Sequence, residues 1–390
     1  MGRNSRPHLL NLLFQQFHSF SIRYSPLRCG PLRINPLQNP LSKNHRVRDD
    51  RMQSWRWSRA LQLAELASGD VHSGIITLSP CVRHQITYAP INVPGAVSTQ
   101  ARGINNNGEI VGFYKNTPCL DSDIRVPNCP NIKGFKLVNG AYIKLMVSGS
   151  SRTVIMGVND LGDLVGYYTK SSDGTTHGFI WYHTNVVRTI DYPNAPNATV
   201  PFGINKAGIV VGGTFGTGPN GGFPGSGWVW ANGTFSTMNP TLPGNPAGAC
   251  CWAVTSISNT GVLAGLLFQS DYWQAWMKAG TDQDFFTYPT VIQCCDTSAT
   301  GVNSNVDMIG FDGGPSSYSA GAGWFTKHIE LNEVNDAEVT PHFIKVAYGP
   351  GSDNTVLQTF PFGLNDSRGI VGTYFDANNQ QHGFLAKPNF

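Results

Sequence analysis

Residues 103–114 read GINNNGEIVGFY, an asparagine-rich turn between glycines that leads into a short apolar run. The stretch recurs clearly at residues 157, 203, 301 and 363, and in a divergent form, SISNTGVLAGLLF, from residue 256. The six copies start 54, 46, 53, 45 and 62 residues apart. A unit of this length repeated so often indicates a solenoid, a propeller or an array of small modules.

A second motif, a small residue followed by an aromatic one, comes after each copy. A further β-rich segment then tends to end at proline, as in VVRTIDYPNA at 186–195. Val, Ile and aromatics bounded by Gly, Asn, Asp and Pro are typical of strands, and the repeats show no helical periodicity. Each unit therefore provides four strands. The six small–aromatic pairs are Gly134-Phe135, Gly178-Phe179, Gly227-Trp228, Ala275-Trp276, Gly323-Trp324 and Gly383-Phe384.

Four strands in about 50 residues is the size of a β-propeller blade. The last unit stops at Phe390 after its third strand, whereas ITYAPINVPGA at 86–96 matches the fourth-strand segment at 186–195. We therefore predict an all-β, six-bladed propeller over residues 79–390, with an N-terminal strand that completes the last blade. Seven blades is the weaker alternative, because the 62-residue gap is too short to hold an extra blade.

The repeat G-[IV]-N-x-x-G-x-[IV]-V-G-x-Y, followed by H-G-F, resembles the HAF-type extracellular repeat of predicted secreted bacterial proteins. The resemblance covers residues 84–390 and is clear in copies 1, 2, 3 and 6 but weaker in copy 5. Copy 4 departs from it, since Ser258 replaces asparagine and Leu266, Leu267 and Phe268 replace the glycine–aromatic end. The resemblance implies export and a propeller-like fold, and it supplies no catalytic motif.

The N-terminal segment, residues 1–78, differs in composition from the repeats. Residues 1–59 contain 11 basic residues (Lys and Arg) and two acidic residues (Asp and Glu). The rest of the chain contains 16 basic and 22 acidic residues. We expect a basic extension that is disordered, that serves as an atypical targeting segment, or that results from a wrong start site. The repeat region is net acidic, so we expect no nucleic-acid partner. No apolar run approaches 18 residues, so no transmembrane helix is predicted.

Eight cysteines favour an oxidising compartment. Cys119 and Cys129 lie in one loop and would close a small ring. Cys250 and Cys295 each lie six residues before a repeat start, so we predict disulfides that join the pair Cys250/Cys251 to the pair Cys294/Cys295, between blades 4 and 5. Metal binding by these four thiols and free buried thiols are the alternatives. The spacing is not the CxxC form of structural zinc, so no metal and no cofactor are predicted.

Loop lengths predict which side of the propeller binds. The first-to-second and third-to-fourth strand turns lie on one side, here called the turn face, and all are short and rich in Asn and Gly. The turn asparagines are expected to cap their turns, with a ring of Asn ligands at the axis as the alternative: Asn105, Asn159, Asn205, Asn303 and Asn365. The opposite side, the variable-loop face, carries loops of very different length, which is where binding usually resides.

Aromatic and basic residues on the variable-loop face are candidate ligand contacts, although each singly is more often an ordinary loop residue. Arg102 is placed at the mouth of the channel. The other candidates are Arg125, Arg152, Trp252, Tyr272, Trp273, Tyr318 and His342. His177 and His382 occupy one repeat position, which indicates a structural role.

The sequence therefore predicts a secreted or surface-associated monomeric binding module that recognises a glycan or an extracellular protein. No metalloprotease, P-loop or nucleophile-elbow motif is present in a supporting context. The alternative is an extracellular hydrolase or lyase, acting on a polysaccharide, ester or lactone at the channel mouth. This alternative rests on fold analogy alone, and paired carboxylates cannot be recognised without the three-dimensional structure.

Overall fold

The computed structural model describes residues 33–40, 72–77, 86–119, 129–215, 225–238, 251–269, 272–286, 297–312, 322–327, 343–348 and 358–389. The chain divides into two compact units, residues 1–85 and 86–390. In the first unit, strand β1 (Arg33–Pro40) pairs antiparallel with strand β2 (His72–Thr77). A search of the described residues finds no helix long and apolar enough to cross a membrane.

The second unit contains six four-stranded antiparallel sheets, which are the six predicted blades. Blade 1 consists of β4 (Ser98–Ile104), β5 (Ile110–Lys115), β6 (Lys133–Val138) and β7 (Ala141–Leu145). Blade 2 consists of β8 (Ser150–Val158), β9 (Leu164–Lys170), β10 (Thr176–Trp181) and β11 (Val187–Ile190). Blade 3 consists of β12 (Thr199–Ile204), β13 (Val210–Thr214), β14 (Trp228–Ala231) and β15 (Thr234–Thr237).

The remaining three blades follow the same order. Blade 4 consists of β16 (Cys251–Ile257), β17 (Leu263–Gln269), β18 (Tyr272–Ala279) and β19 (Asp282–Phe286). Blade 5 consists of β20 (Thr297–Val302), β21 (Met308–Asp312), β22 (Ala322–Thr326) and β23 (Phe343–Val346). Blade 6 consists of β24 (Gln358–Leu364), β25 (Ile370–Phe375), β26 (Gln381–Pro388) and β3 (Ile86–Ile91).

The predicted ring closure is confirmed. Strand β3 pairs antiparallel with β26, with Ile91 opposite Gly383 and Thr87 opposite Lys387. The N-terminal strand thus supplies the fourth strand that the last repeat lacks. Closure in this way leaves no incomplete blade exposed to edge-to-edge pairing.

The first strand of every blade lies innermost, and each contacts the first strand of the next blade around the axis. Each of these strands carries a β-bulge at the same repeat position, where the ladder skips one residue. Bulges of this kind re-aim a side chain. The skipped residues are Arg102, Met156, Phe202, Thr255, Thr300 and Phe362.

Packing within and between blades explains why the two sequence motifs recur together. A Cβ on Gly212, in the V-G of blade 3, would lie 2.3 Å from Val200 O and 2.3 Å from the Trp228 ring. The second-strand glycine therefore makes room for the aromatic residue of the small–aromatic pair. Between blades, buried clusters join neighbouring sheets; one packs Val165, Ile180 and Tyr192 against Trp228 and other residues of blade 3.

Candidate functional site

The asparagines of the G-[IV]-N motif cap their own turns, as predicted. Asn105 Oδ1 accepts hydrogen bonds from Asn107 N at 3.1 Å and Glu109 N at 2.9 Å. Asn159 Oδ1 does the same with Leu161 N at 3.1 Å and Asp163 N at 2.9 Å. These bonds replace backbone partners that the tight turn cannot supply.

The same asparagines also join the blades, which the sequence analysis missed. Asn105 Nδ2 donates to Asn159 O of the next blade at 2.9 Å, and Asn365 Nδ2 donates to Asn105 O at 3.1 Å, across the ring closure. Equivalent amide bonds run from Asn159, Asn205 and Asn303 to the following blade. The recurrence of Asn at one position in the repeats could have indicated these bonds between blades, but capping of the turn was already a sufficient explanation for it.

On the turn face, the residue after each asparagine lies at the mouth of the channel. Asn106 Nδ2 donates both to Asp160 Oδ2 at 3.0 Å and to Asp366 Oδ2 at 2.9 Å. Asn259 Nδ2 reaches the same Asp160 oxygen at 2.9 Å from blade 4. These bonds connect blades 1, 2, 4 and 6 across the mouth.

An open cavity of about 530 Å³ lies beside this mouth, lined by Asn305, Asp366, Ser367 and Arg368. Arg368 Nε donates to Asp307 Oδ2 at 2.8 Å, joining blade 6 to a fully buried carboxylate of blade 5. Within the described ranges, no three His, Cys, Asp or Glu side chains form a group that would hold a metal ion.

Inside the channel, the six bulge residues surround a cavity of about 30 Å³, which is room for about one water molecule. Arg102 is 3% exposed, and its guanidinium carbon lies 3.8 Å from the centroid of the Phe362 ring. Its Nη2 donates to Gln100 Oε1 at 2.7 Å. The structure therefore places Arg102 within the channel, below the mouth at which the sequence analysis placed it.

A buried apolar cluster forms the channel wall of blades 1 to 4 on the side of the variable-loop face. It contains the bulge residues Met156 and Phe202 together with Tyr167 and Trp273, and Phe215 packs against it. Trp273 is 9% exposed. We call Arg152, Tyr167, Phe215, Trp273 and the Cys119–Cys129 disulfide the mouth wall, because each adjoins a variable loop or the first strand that enters from one.

Arg152 is the partly exposed cation of the mouth wall. Its guanidinium carbon lies 5.7 Å from the centroid of the Tyr167 ring, and its Nε donates to Thr169 Oγ1 at 3.1 Å. These contacts hold the planar group in one orientation. A fixed guanidinium beside an aromatic ring suits a carboxylate, a sugar hydroxyl or a backbone carbonyl.

The structure brings Arg152 and Trp273 to one cluster and places Trp252 elsewhere. Trp252 is partly buried and packs against residues of blades 3 and 4, close to Gly227. Tyr272 begins β18, and its side chain is not among those described. Arg125, Tyr318 and His342 lie outside the described residues. The prediction that every turn-face connection is short is wrong for blade 5, because residues 327–342 join its third strand, β22, to its fourth strand, β23. His342 belongs to this connection and not to the variable-loop face.

The two repeat-position histidines join a loop to a blade link on the variable-loop face. His177 Nδ1 lies 2.8 Å from Asp191 Oδ2, and its Nε2 lies 2.8 Å from Thr175 Oγ1. In blade 6, His382 bridges Asn92 and Asp376 in the same way. Asp191 and Asn92 occupy matching positions after the fourth strand, so the arrangement belongs to the scaffold.

Thr175, His177 and Asp191 contact one another in the order of the nucleophile, base and acid of a hydrolase triad. The Thr175 hydroxyl, however, is not placed to give its proton to His177 alone. Thr175 Oγ1 carries one proton and lies 2.5 Å from Asp173 Oδ1, which competes with His177 for it. Thr175 N is also used, donating to Asp173 Oδ1 at 2.9 Å. No donor is therefore left at this backbone position to stabilise an oxyanion.

Several ionisable groups near these loops have shifted pKa values. Burial opposes ionisation of Asp376, but hydrogen bonds from Gln380 N, His382 and Asn378 N outweigh it and lower the pKa. Burial, together with the neighbouring Tyr348, raises the pKa of Tyr374, which stacks on Tyr348 at 3.8 Å between centroids. Burial also raises the pKa of Tyr88 to about 12, although its hydrogen bond with Ala347 acts the other way.

The predicted disulfide between Cys119 and Cys129 is confirmed, with a Cα–Cα distance of 6.0 Å. Cys129 is 1% exposed and belongs to the channel-wall cluster. The predicted bridges between Cys250/Cys251 and Cys294/Cys295 fall outside the side chains that the structure describes. They remain a prediction.

Comparison with known proteins yields structural likenesses only. No protein-family model and no curated protein matches the chain. A streptogramin B lyase structure aligns with 77% of this chain and 97% of its own, at 12% identity and a TM-score of 0.38. TolB from Acinetobacter baumannii aligns over 66% of this chain and 56% of its own (13% identity, TM-score 0.39). YCF48 from Cyanidioschyzon merolae aligns over 76% of this chain and 87% of its own, at 10% identity and a TM-score of 0.37. Likenesses this weak identify neither family nor activity.

Proposed function

We propose that the propeller is a secreted or surface-associated binding module that recognises a glycan or a protein through its variable-loop face. The observation that carries the proposal is the difference between the two mouths of the channel. On the turn face, side chains of four blades bond to one another across the mouth. On the variable-loop face, a fixed arginine and an aromatic cluster adjoin loops of unequal length.

The channel itself does not serve the proposed ligand. Its interior is filled by the bulge residues, and the cavity they leave is about 30 Å³. A sugar ring or a peptide side chain needs several times that space. The proposed ligand therefore lies over the mouth wall and contacts Arg152 and the loops around it. Export, implied by the resemblance to HAF-type repeats, is part of the same proposal.

The test is a ligand screen on the full chain, folded under oxidising conditions. Polysaccharides, glycans, proteins and ester or lactone substrates are incubated with it, and bound and released species are read by mass spectrometry. A ligand retained unchanged supports the proposal. A cleaved substrate favours the alternative, an extracellular hydrolase or lyase, and rejects the binding module.

Two matched variants locate the site once a ligand is found. Arg152→Gln removes the guanidinium of the mouth wall, and we expect affinity to fall about tenfold, the usual effect of losing a hydrogen bond to a charged group. Lys206→Gln removes a cation from the exposed turn face and leaves affinity unchanged. Equal affinity in both variants, or loss only in the second, contradicts the assignment of the face.

A further inference from the structure

The two cysteines of the Cys119–Cys129 disulfide differ in their exposure. The bond joins the loop after β5 to the segment before β6, and the two cysteines are ten positions apart in sequence. Cys119 is partly exposed and follows three exposed residues, 116–118. Cys129 is 1% exposed. Cys119 is therefore the more exposed of the two cysteines.

The buried side chain of Lys115 lies near the sulfur of Cys129. Lys115 is 1% exposed, and its Nζ lies 3.7 Å from Cys129 Sγ and 2.6 Å from Cys119 O. A lysine ammonium next to a cysteine stabilises the thiolate relative to the thiol. In thiol–disulfide exchange, a leaving thiol of lower pKa departs faster. The site therefore favours departure of Cys129 when Cys119 is attacked.

We propose that this disulfide is a thiol-exchange site for a small thiol such as glutathione, and that attack is directed to Cys119. The thiolate of the small molecule bonds to Cys119 Sγ as the Cys119–Cys129 bond breaks, and the electron pair remains on Cys129 as a thiolate beside Lys115. The products are a mixed disulfide on Cys119 and a thiolate on Cys129. No net oxidation occurs and no further reactant is needed.

The exchange removes a covalent clamp at the mouth wall. The disulfide closes the second-to-third-strand loop of blade 1 on the variable-loop face, and Cys129 packs against Met156 and Tyr167 there. With the bond cut, Cys119 keeps its hydrogen bond from Lys115 Nζ to its carbonyl oxygen, at 2.6 Å. The proposal concerns the sulfur chemistry and stands whether or not the ligand-binding proposal is correct.

The test uses the full chain, never exposed to reductant, mixed with reduced glutathione. Samples are quenched over time with N-ethylmaleimide and mapped by peptide mass spectrometry, which follows these two cysteines apart from the other six. We expect glutathione on Cys119 and maleimide on Cys129. Glutathione on Cys129, or equally on both sulfurs, overturns the proposal.

Three variants test the role of the lysine. Lys115→Met removes the charge at similar length, and we expect the initial exchange rate to fall about threefold to tenfold, as the leaving thiol becomes a poorer one. Lys115→Arg retains a cation and is expected to retain most of the rate. Lys144→Met removes an exposed lysine of the same blade and leaves the rate unchanged.

Equal rates in Lys115→Met and the unaltered protein overturn the role assigned to Lys115. Because Lys115 is buried, the methionine substitution can disturb folding. Circular dichroism is therefore recorded for each variant. If that variant does not fold, the position of glutathione in the unaltered protein still decides the direction of attack.

Discussion

Five of the six joints between blades are held by an asparagine amide, and the joint between blades 4 and 5 is not. Asn105, Asn159, Asn205, Asn303 and Asn365 each donate from Nδ2 to a backbone carbonyl of the following blade. Blade 4 has Ser258 at this position, whose Oγ accepts from Val262 N of its own turn at 3.0 Å.

Hydroxyl groups on the neighbouring strand residues bond blade 4 to blade 5. Ser256 Oγ accepts from Val302 N at 3.1 Å, and Thr255 Oγ1 donates to Ala299 O at 2.8 Å. Ser256 stands where the other copies have the motif glycine. The Thr255 bond is not specific to this joint, because Thr300 Oγ1 donates to Pro361 O at 2.7 Å between blades 5 and 6, where Asn303 also bonds. The motif residues therefore bond to the next blade as well as to their own, and the bond from Val302 N to Ser256 Oγ is the one particular to the joint between blades 4 and 5.

The largest expected effect comes from removing one amide of the five. Asn159→Ala leaves Leu161 N and Asp163 N without their caps and Asn205 O without its donor. Asp163 and Asn205 are buried whereas Leu161 is exposed, so two of the three lost bonds are in the interior and the free energy of unfolding should fall by about 2–4 kcal/mol. Ser258→Ala, the matched change in blade 4, should cost about 1 kcal/mol, since one cap is lost. Urea denaturation measures both. Equal losses would contradict the difference between the joints.

The next effect tests how closely the innermost strands approach. A Cβ on Gly363 would lie 2.9 Å from Arg102 O and 3.0 Å from Gly103 Cα, both in blade 1. Gly363→Ala should therefore force the two blades apart and destabilise by about 1–3 kcal/mol. Ser256→Ala at the equivalent position of blade 4 keeps the Cβ and should lose only the bond from Val302 N, about 1 kcal/mol. Thermal unfolding of both variants, side by side, checks the order.

Replacing Ser258 by asparagine tests whether the amide bond found at the other five joints can also form between blades 4 and 5. Blade 3 shows that the amide works with an apolar residue four positions later, because Asn205 caps Ile209 N at 3.0 Å and still reaches Ser258 O at 3.3 Å. Blade 4 has Val262 at that later position. Ser258→Asn should raise the free energy of unfolding by about 0.5–1.5 kcal/mol by adding one buried bond to blade 5. A destabilised variant would show that other residues at the joint between blades 4 and 5 no longer accommodate an asparagine side chain at position 258.

The smallest effect concerns pH. Burial opposes ionisation of Asp163, but hydrogen bonds from His183 N, the His183 ring and Asn159 outweigh it and lower the pKa. A carboxylate whose pKa is lower in the folded state stabilises the protein above its unfolded pKa of about 3.9, and this contribution is lost as pH falls through the folded value. Unfolding followed between pH 6 and pH 3 should show this loss, and Asp163→Asn should reduce its slope. An unchanged slope excludes the role of Asp163.

The fold followed from the sequence because its signals are local and repeated. Turn residues recur at fixed positions, each copy yields four strands, and the missing fourth strand of the last copy is recognisable at residues 86–91. The Cys119–Cys129 bridge followed from proximity in one loop. The asparagine bonds between blades could not be predicted, because their partners are backbone carbonyls 46 or more residues away along the chain.

The position of side chains around the channel was harder to predict than the strands. A bulge at Arg102 interrupts the alternation of β4, so a residue expected at the mouth points into the channel beside Phe362. The histidine contacts illustrate a similar gap. His382 meets Asn92 across 290 residues, a contact that exists only because the ring closes. Pattern analysis assigns residues to strands, whereas contacts of this kind depend on the closed assembly.

Ring closure through β3 also has a consequence for how the protein forms. Blade 6 is assembled from both ends of the repeat region, since residues 86–91 pair with residues 383–388. Because the chain is synthesised from its N-terminus, β3 is made before the other strands of the ring and its partner β26 is made last. The pairing of β3 with β26 joins residues about 300 positions apart in sequence, and contacts between such distant residues are the kind that slow folding. Blade 6 can therefore be completed only after the rest of the repeat region has been made.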